Sequence, residues 1–509
     1  EVVAASSVTF EPWYEAGAAL PKPLTIDEIH DLVDKYGQAA LRCKKAGFDL
    51  VEVHGAGGCL PTNFLSPNDN QRNDMYGGSL HNRMRFLVEI VRSIKKYCGN
   101  NYPISIKLSI DDCEPNGIRV EETVEVAKVL EKEGVSMLNL MMGTHAVVYP
   151  STGFYDINIY LSQAKQIKDA VQIPCMVGLG VQTASLAESI LESGQGDFIA
   201  LAKQEIADCN WPNKVKNNQE DDIRPCIKCL VGCTDNGIIG HHPIRCAVNP
   251  TVYKYYEDKY PQAKVVKKCC CYWRWTSWYG SSFNISKRGH KVTVYEKRKI
   301  GGTLHEASSA DYKKDIKLFI NYYEKQAQKY HLNIIQEEAT YDTIVNSGYD
   351  ACIIATGGKP RILDVNGLET GKVTYALNYL NGEVKFDGEN ALVIGGGITG
   401  AEVAVELAKE GKKVTIIEVM DQFLALPSAV IPAYQMAVEQ AGVKVITGHR
   451  LDYVDHDQAI IVDRFGNKKE LKADGGIVIS AGFMPQLELQ EKLEEETDIE
   501  VYTVGDAKK

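Results

Sequence analysis

The stretch Ala391-Leu-Val-Ile-Gly395-Gly-Gly397-Ile-Thr-Gly400-Ala-Glu-Val-Ala-Val-Glu-Leu constrains the chain more than any other. It runs from a short apolar segment through a G-x-G-x-x-G turn into residues with helical periodicity, so it reads as strand, tight loop and helix. Gly395 allows the turn, Gly397 lets the backbone approach a pyrophosphate, and Gly400 lets helix and strand pack closely. The next strand, residues 413–418, ends in Glu418, placed to accept the ribose hydroxyls. An acid there disfavours a 2′-phosphate, so NADH is preferred over NADPH.

A single dinucleotide unit does not use 509 residues. At ~100–200 residues per domain, the length implies roughly three domains. The net charge of −11, with no concentrated Lys/Arg face, argues against a nucleic-acid partner. No apolar run reaches the ~18 residues of a membrane span, and no signal-peptide pattern opens the chain. Fourteen cysteines in such a chain favour metal or redox work over a disulfide frame, and so a reducing cytoplasm. The sequence leaves a homo-oligomer open.

Residues 25–216 alternate short apolar runs (48–54, 104–109, 136–142, 173–178, 197–202) with helical patterns such as 82–96, 120–133 and 184–193. That alternation predicts a parallel sheet with right-handed crossovers. Five runs fall short of the eight strands of a closed (β/α)8 barrel. The chain therefore reads as an open sheet or as a barrel whose first three units are absent.

Residues 217–262 change character, and four cysteines there follow the spacing C-x2-C-x3-C-x12-C: Cys226, Cys229, Cys233 and Cys246. Three thiolates on one tight loop plus a fourth from a separate turn suit a [4Fe–4S] cubane. Paired C-x2-C knuckles, the usual form of a zinc site, are not the pattern here.

A second dinucleotide unit is expected after Lys268. Its later half is present as Arg288-Gly-His-Lys-Val-Thr-Val-Tyr-Glu296, followed by Ile300-Gly301-Gly302. Its first half instead reads Cys269-Cys-Cys-Tyr-Trp273-Arg-Trp275-Thr-Ser-Trp278-Tyr-Gly-Ser-Ser282, with W-x-W-x-x-W where G-x-G-x-x-G belongs. The only tryptophan codon, TGG, begins GG when read one base later, which always gives glycine. One permitted spelling of residues 269–282 then shifts to Val-Val-Val-Ile-Gly-Gly-Gly-Pro-Ala-Gly-Met-Glu-Ala-Ala. The stretch is expected to be a pair of compensating frameshifts over an FAD-binding turn. Glu296, Gly301, Gly302, the strand-end turn at Thr356 and Gly357, and the terminal Gly505-Asp506 are the accompanying FAD candidates.

Phe64-Leu-Ser-Pro, Asn70-Gln-Arg72-Asn-Asp74-Met-Tyr76-Gly-Gly-Ser79 and Asn82-Arg-Met-Arg-Phe86 resemble the old yellow enzyme family of FMN barrels. The order of barrel, cysteine loop and interleaved FAD and NAD units is similar to that family's iron–sulfur branch. That branch includes 2,4-dienoyl-CoA reductase, 2-enoate reductase, the bile-acid-inducible flavoenzymes and trimethylamine dehydrogenase. Glu11-Pro-Trp-Tyr-Glu and Ile26-Asp-Glu-Ile-His are most similar to its anaerobic daidzein reductases.

The resemblance implies an α/β chain. An FMN-binding (β/α)8 barrel, of which only strands four to eight are present, would span 1–216, and a 4Fe-4S segment 217–262. The FAD domain would occupy 263–384 and a truncated second part, 473–509, around an NAD(P)H domain at 385–472. Electrons would run from NAD(P)H through FAD and [4Fe–4S] to FMN and the substrate.

By position, Lys107 would stand near the flavin N1–C2 carbonyl, stabilising the anionic reduced flavin. Gly178 and Leu179, with Ala202 and Lys203, would hold the FMN phosphate; the family usually has Gly-Arg at the second pair. His54 takes the place of an oxyanion-binding His, Gly57 that of a second donor, and Cys59 that of the usual proton-donating Tyr. His145 matches a second catalytic group. The activity implied is reduction of the C=C bond of an enoate, isoflavone or 3-oxo-steroid, with hydride from FMN and a proton from Cys59, His145 or solvent. The same machinery run backwards is a desaturase. An amine dehydrogenase is the other reading, and the intact nicotinamide site argues against it.

Overall fold

The computed structural model describes residues 2–8, 19–144, 152–252, 261–273 and 279–507. They form two compact units, 1–204 and 205–509.

The first unit is built on five parallel strands in chain order: Val51–Gly55, Ile104–Ser109, Met137–Met141, Cys175–Val177 and Phe198–Ile199. Alternation within the strands sorts the side chains to two faces. Val53, Ile106, Leu108, Leu138, Leu140 and Val177 are buried on one of them. The other carries Glu52, His54, Ser105, Lys107 and Asn139, an unusually polar face for a parallel sheet.

Helices Ile26–Lys45, Arg85–Cys98, Val120–Lys132 and Ile157–Ala170 complete the strand–helix alternation. The first is capped as its sequence foretells. Thr25 Oγ1 accepts the Glu28 N–H while Glu28 accepts the Thr25 N–H, a capping box.

The loop at 70–76 braces this unit. Asn70 donates to the carbonyls of Phe64 and Tyr76, both at 2.7 Å. Arg72 donates to the carbonyls of Ala5 and Leu24 and pairs with Asp74, while the Tyr76 hydroxyl reaches Glu89 at 2.8 Å. Each of these polar groups meets a partner that burial would otherwise leave unsatisfied.

Two five-stranded parallel sheets organise the second unit. One runs Asn333–Ile335, Lys291–Tyr295, Lys268–Trp273, Ala351–Ala355, Glu500–Thr503 in spatial order. Numbered along the chain, that is 3-2-1-4-5, the doubly wound order. The other runs Val373–Tyr375, Ile477–Ile479, Asn390–Ile394, Lys413–Ile417, Lys444–Ile446. The chain leaves the first sheet after Ala355 and returns to it only at Glu500, so one domain is inserted in the other. The helix Trp211–Lys216 belongs to this second unit, and the turn after it, Glu220–Asp222, is held by Lys325, Gln326 and Lys329.

Candidate active site and nucleotide sites

On the polar face of the first sheet, His54 and Lys107 are register partners on adjacent strands, with Asn139 next in line. Glu52 sits two residues back, accepting from Ser105 at 2.9 Å and from Asn139 at 3.2 Å. His54 is exposed, yet partial desolvation, and after it the Lys107 cation, hold its pKa below the ordinary imidazole value, against the pull of Glu52. It is the neutral ring that these surroundings favour.

Past the strand, Gly57 and Gly58 both take positive φ, +63° and +75°, a tight turn that glycine adopts without strain. The Gly57 N–H donates to Ser109 Oγ at 3.0 Å, and Ser109 donates to the Gly143 carbonyl at 3.2 Å. The turn delivers Cys59 to the N-cap of helix Leu60–Leu65. Burial raises the Cys59 thiol while Lys107 opposes the rise, so the thiol feels the same cation as His54. His54, Lys107 and Cys59 are thus brought together; His145 lies outside the described residues.

Gly178 fits closely beneath its neighbour: a Cβ there would lie 2.3 Å from the Ala200 carbonyl oxygen. Its N–H donates to the Tyr160 hydroxyl at 3.1 Å, and that hydroxyl in turn donates to the Leu140 carbonyl at 2.8 Å. Leu179 also bonds the same hydroxyl through its backbone. Tyr160 is fully buried, and nothing in its helical sequence context singled it out. Ala202 is exposed and Lys203, half-buried, begins the short helix Lys203–Ala207.

In the second unit the four cluster cysteines converge. All are half-buried, and none is in a disulfide. The Arg245 N–H donates to the Gly232 carbonyl at 2.7 Å, and a Cβ on Gly232 would lie 2.8 Å from the Cys246 nitrogen, so the loop of the first three meets the turn of the fourth. Burial, and then the fields of Cys226, Cys233 and Cys246, push the Cys229 thiol up to about 12. Among the described residues no three such groups already stand in metal-coordinating geometry. Four cysteine thiols drawn into one another's field are nevertheless the donor set a [4Fe–4S] cluster takes. Beyond the loop, Asp235 accepts from Ser428 Oγ at 2.6 Å and from the Ala429 N–H at 2.8 Å.

The clean glycine turn has the geometry its spacing requires. Gly395 has φ +112°, and a Cβ on it would lie 2.3 Å from the Ser480 carbonyl oxygen. A Cβ on Gly400 would lie 1.9 Å from the Gly395 carbonyl oxygen, whereas a Cβ on Gly397 meets nothing within 4 Å. Packing therefore demands glycine at the first and third positions, and the second faces open space. That space is a cavity of about 230 Å³ bordered by Gly397, Ile398, Thr399, Ile479, Ser480 and Phe483, where the sheet order reverses. Glu418 is buried and already engaged by backbone: it accepts the Gly396 N–H at 2.5 Å and the Met420 N–H at 2.8 Å.

The sequence reading missed Glu402, two residues past Gly400. It is buried, accepts from the Tyr434 hydroxyl at 2.5 Å and pairs with Lys313.

The FAD candidates occupy matching places. Glu296 is buried one residue past the strand Lys291–Tyr295, as Glu418 is past Lys413–Ile417, and accepts the Arg298 N–H at 2.8 Å. Gly301 and Gly302 take φ +115° and +50°. Thr356 donates to the Gln486 carbonyl at 3.3 Å, Gly357 has φ +65°, and Gly505 and Asp506 form a single turn after the last strand.

Comparison with known proteins agrees with this arrangement. Residues 4–222 match the NADH:flavin oxidoreductase / NADH oxidase family, and residues 252–507 match the pyridine nucleotide-disulphide oxidoreductases. An NADH oxidase of Thermoanaerobacter brockii is 34% identical over 501 residues, covering 96% of this chain and 76% of that protein. The chain belongs to the NADH:flavin oxidoreductase / NADH oxidase family. A cinnamate reductase of Clostridium sporogenes is 30% identical, covering 92% of this chain and 73% of its own length. A 2-naphthoyl-CoA reductase in complex with 2-naphthoyl-CoA superposes with a TM-score of 0.90 at 27% identity, over 99% of this chain and 77% of that one.

This flavin oxidoreductase falls in the iron–sulfur branch of the old yellow enzymes. It is an NAD(P)H-dependent enzyme with an FMN-binding domain followed by a FAD- and NAD-binding domain. No helix among its described residues is long and apolar enough to cross a membrane.

Proposed function

We propose that this flavin oxidoreductase reduces the C=C bond of a small α,β-unsaturated carbonyl compound at the expense of NAD(P)H. The observation that carries the reading is the pairing of His54 with Lys107 on one polar sheet face, with the Cys59 thiol in the field of the same cation. Two relatives support the substrate class, since one is a cinnamate reductase and the other a reductase complexed with a naphthoyl thioester.

When bound, the flavins and the iron–sulfur cluster supply hydride and electron transfer between reduced nicotinamide and substrate. Lys107, with Gly178, Leu179, Ala202 and Lys203, would hold FMN, and Cys226, Cys229, Cys233 and Cys246 the cluster. His54 as a neutral ring donates a hydrogen bond to the carbonyl oxygen, where negative charge develops as the β-carbon is attacked. The α-carbon then takes a proton from Cys59, His145 or solvent. Burial keeps the Cys59 thiol protonated at neutral pH, so it has a proton to give. The Gly395 to Gly400 turn and Glu418 take NADH.

The test is product analysis. Anaerobic holoenzyme with NADH and cinnamate or an isoflavone is expected to give the saturated product, deuterated at the α- and β-carbons when the reaction runs in D2O, because the cluster passes electrons and not the nicotinamide's hydride. No saturated product from any such acceptor, with flavins reduced, would sink the proposal.

A further inference from the structure

The two dinucleotide units can be superposed residue by residue from strand register alone. In the NAD unit, Ile394 pairs with Ile417 on one side and Ile479 on the other. In the FAD unit, Tyr272 holds that place, pairing with Tyr295 and Ile354. One residue further, Trp273 pairs with Ala355, and Gly395 lies against Ser480. The acids also coincide, since Glu296 follows Tyr295 as Glu418 follows Ile417. Counting along the sequence from that register, Trp273, Trp275 and Trp278 correspond to Gly395, Gly397 and Gly400.

Those positions do not accept side chains in a turn of this kind. At the first, a single Cβ would come within 2.3 Å of a carbonyl oxygen, and at the third within 1.9 Å. At the second the space must stay open for the pyrophosphate. The residues written at 273–278 do not fit an FAD turn, although the strands around them are those of an FAD unit.

We infer that residues 269–282 are an out-of-frame reading of the glycine turn Val-Val-Val-Ile-Gly-Gly-Gly-Pro-Ala-Gly-Met-Glu-Ala-Ala, and that the functional protein carries that turn and binds FAD there. One base gained before codon 269 and one lost after codon 282 produce the written residues with no change in length, which is why the strand register downstream is intact. Tryptophan always shifts to glycine, but the register match does not follow from that rule.

The inference rests on the reading of the first unit as the FAD unit. Peptide masses of the protein purified from its source test it directly: glycines at the three tryptophan positions support it, and Trp273, Trp275 and Trp278 in a flavin-loaded protein overturn it. A second measurement compares the chain as written with one in which residues 269–282 are replaced by the shifted string. Acid-released flavin is expected to show equal FMN in both, but FAD retained at least tenfold better by the replaced chain. Equal FAD retention, or none after replacement, overturns the inference. Equimolar FAD without reduction of an unsaturated carbonyl would instead overturn the proposed function and leave this inference standing.

Discussion

The Glu418 carboxylate accepts the Gly396 N–H at 2.5 Å, tying the end of one strand to the middle of the glycine turn on its neighbour. Its other oxygen holds the Met420 N–H, so the acid shapes the turn. Removing it with Glu418→Ala is expected to raise the KM for NADH about tenfold, the equivalent of ~1.4 kcal/mol of lost hydrogen bonding. Glu418→Gln, which keeps an acceptor oxygen, is expected to do less. Steady-state kinetics at varied NADH check this, and an unchanged KM in the alanine variant contradicts it.

Gly400 makes a sharper test of the same turn. Alanine there places a methyl group 1.9 Å from the Gly395 carbonyl oxygen, so strand and helix must separate. Overpacking of this kind costs about 1–3 kcal/mol. Gly400→Ala is expected to lower the melting temperature and abolish NADH-dependent flavin bleaching while FMN remains bound. Gly397→Ala, with open space around its Cβ, is expected to leave folding unchanged and weaken NADH binding alone.

His54→Ala separates the two half-reactions. Losing a hydrogen-bond donor to a developing oxyanion lowers kcat by about 10²–10³. The expected result is that fall in reoxidation by the unsaturated substrate, with reduction by NADH unaltered in stopped-flow traces. An equal loss in both half-reactions would mean that the residue supports the fold rather than the chemistry.

Cluster removal is testable through Cys229, whose thiol is raised first by burial and then by its three companions. Cys229→Ser is expected to lower iron well below the about four atoms of a cubane. NADH-dependent reduction of an artificial dye should persist while NADH-dependent reduction of the organic substrate falls. Full iron content in the variant would contradict the ligand assignment.

A buried acid gives the pH dependence of stability. Asp112 is fully buried, accepts from Ser66 Oγ at 2.5 Å and from the Ile118 N–H at 2.9 Å, and burial lifts its pKa from 3.8 to about 6. Because the folded state binds this proton more tightly, its stabilising effect is complete below the unfolded value and is lost as pH rises through the folded one. A shift of this size corresponds to about 3 kcal/mol. Asp112→Asn is expected to flatten the decline in unfolding free energy between pH 4 and pH 6, read by denaturant titration. An identical slope in both proteins contradicts it.

Much of this was legible in the sequence, for reasons that differ from place to place. The five apolar runs of the first unit became five strands because period-2 alternation fixes their faces, although the run at 197–202 shrank to Phe198–Ile199. Cys226, Cys229, Cys233 and Cys246 stood out because donor type and spacing together are rare, and their role as cluster ligands is part of the proposal. Gly395 and Gly400 were readable because steric need restricts them to one residue type. Tyr160 and Glu402 were not readable, since a buried Tyr or Glu in a helix takes its meaning from partners far away in sequence, Gly178 and Leu140 for one, Lys313 and Tyr434 for the other. The pairing of His54 with Lys107 needed sheet register, which spacing along the chain does not supply.

The most direct test of the central claim follows the flavin absorbance of the anaerobically purified holoenzyme through one cycle. The account predicts that NADH bleaches it and that an α,β-unsaturated carbonyl compound restores it, with one saturated product formed per NADH consumed. Bleaching by an amine but not by NADH, or recovery only on admission of oxygen, would contradict it.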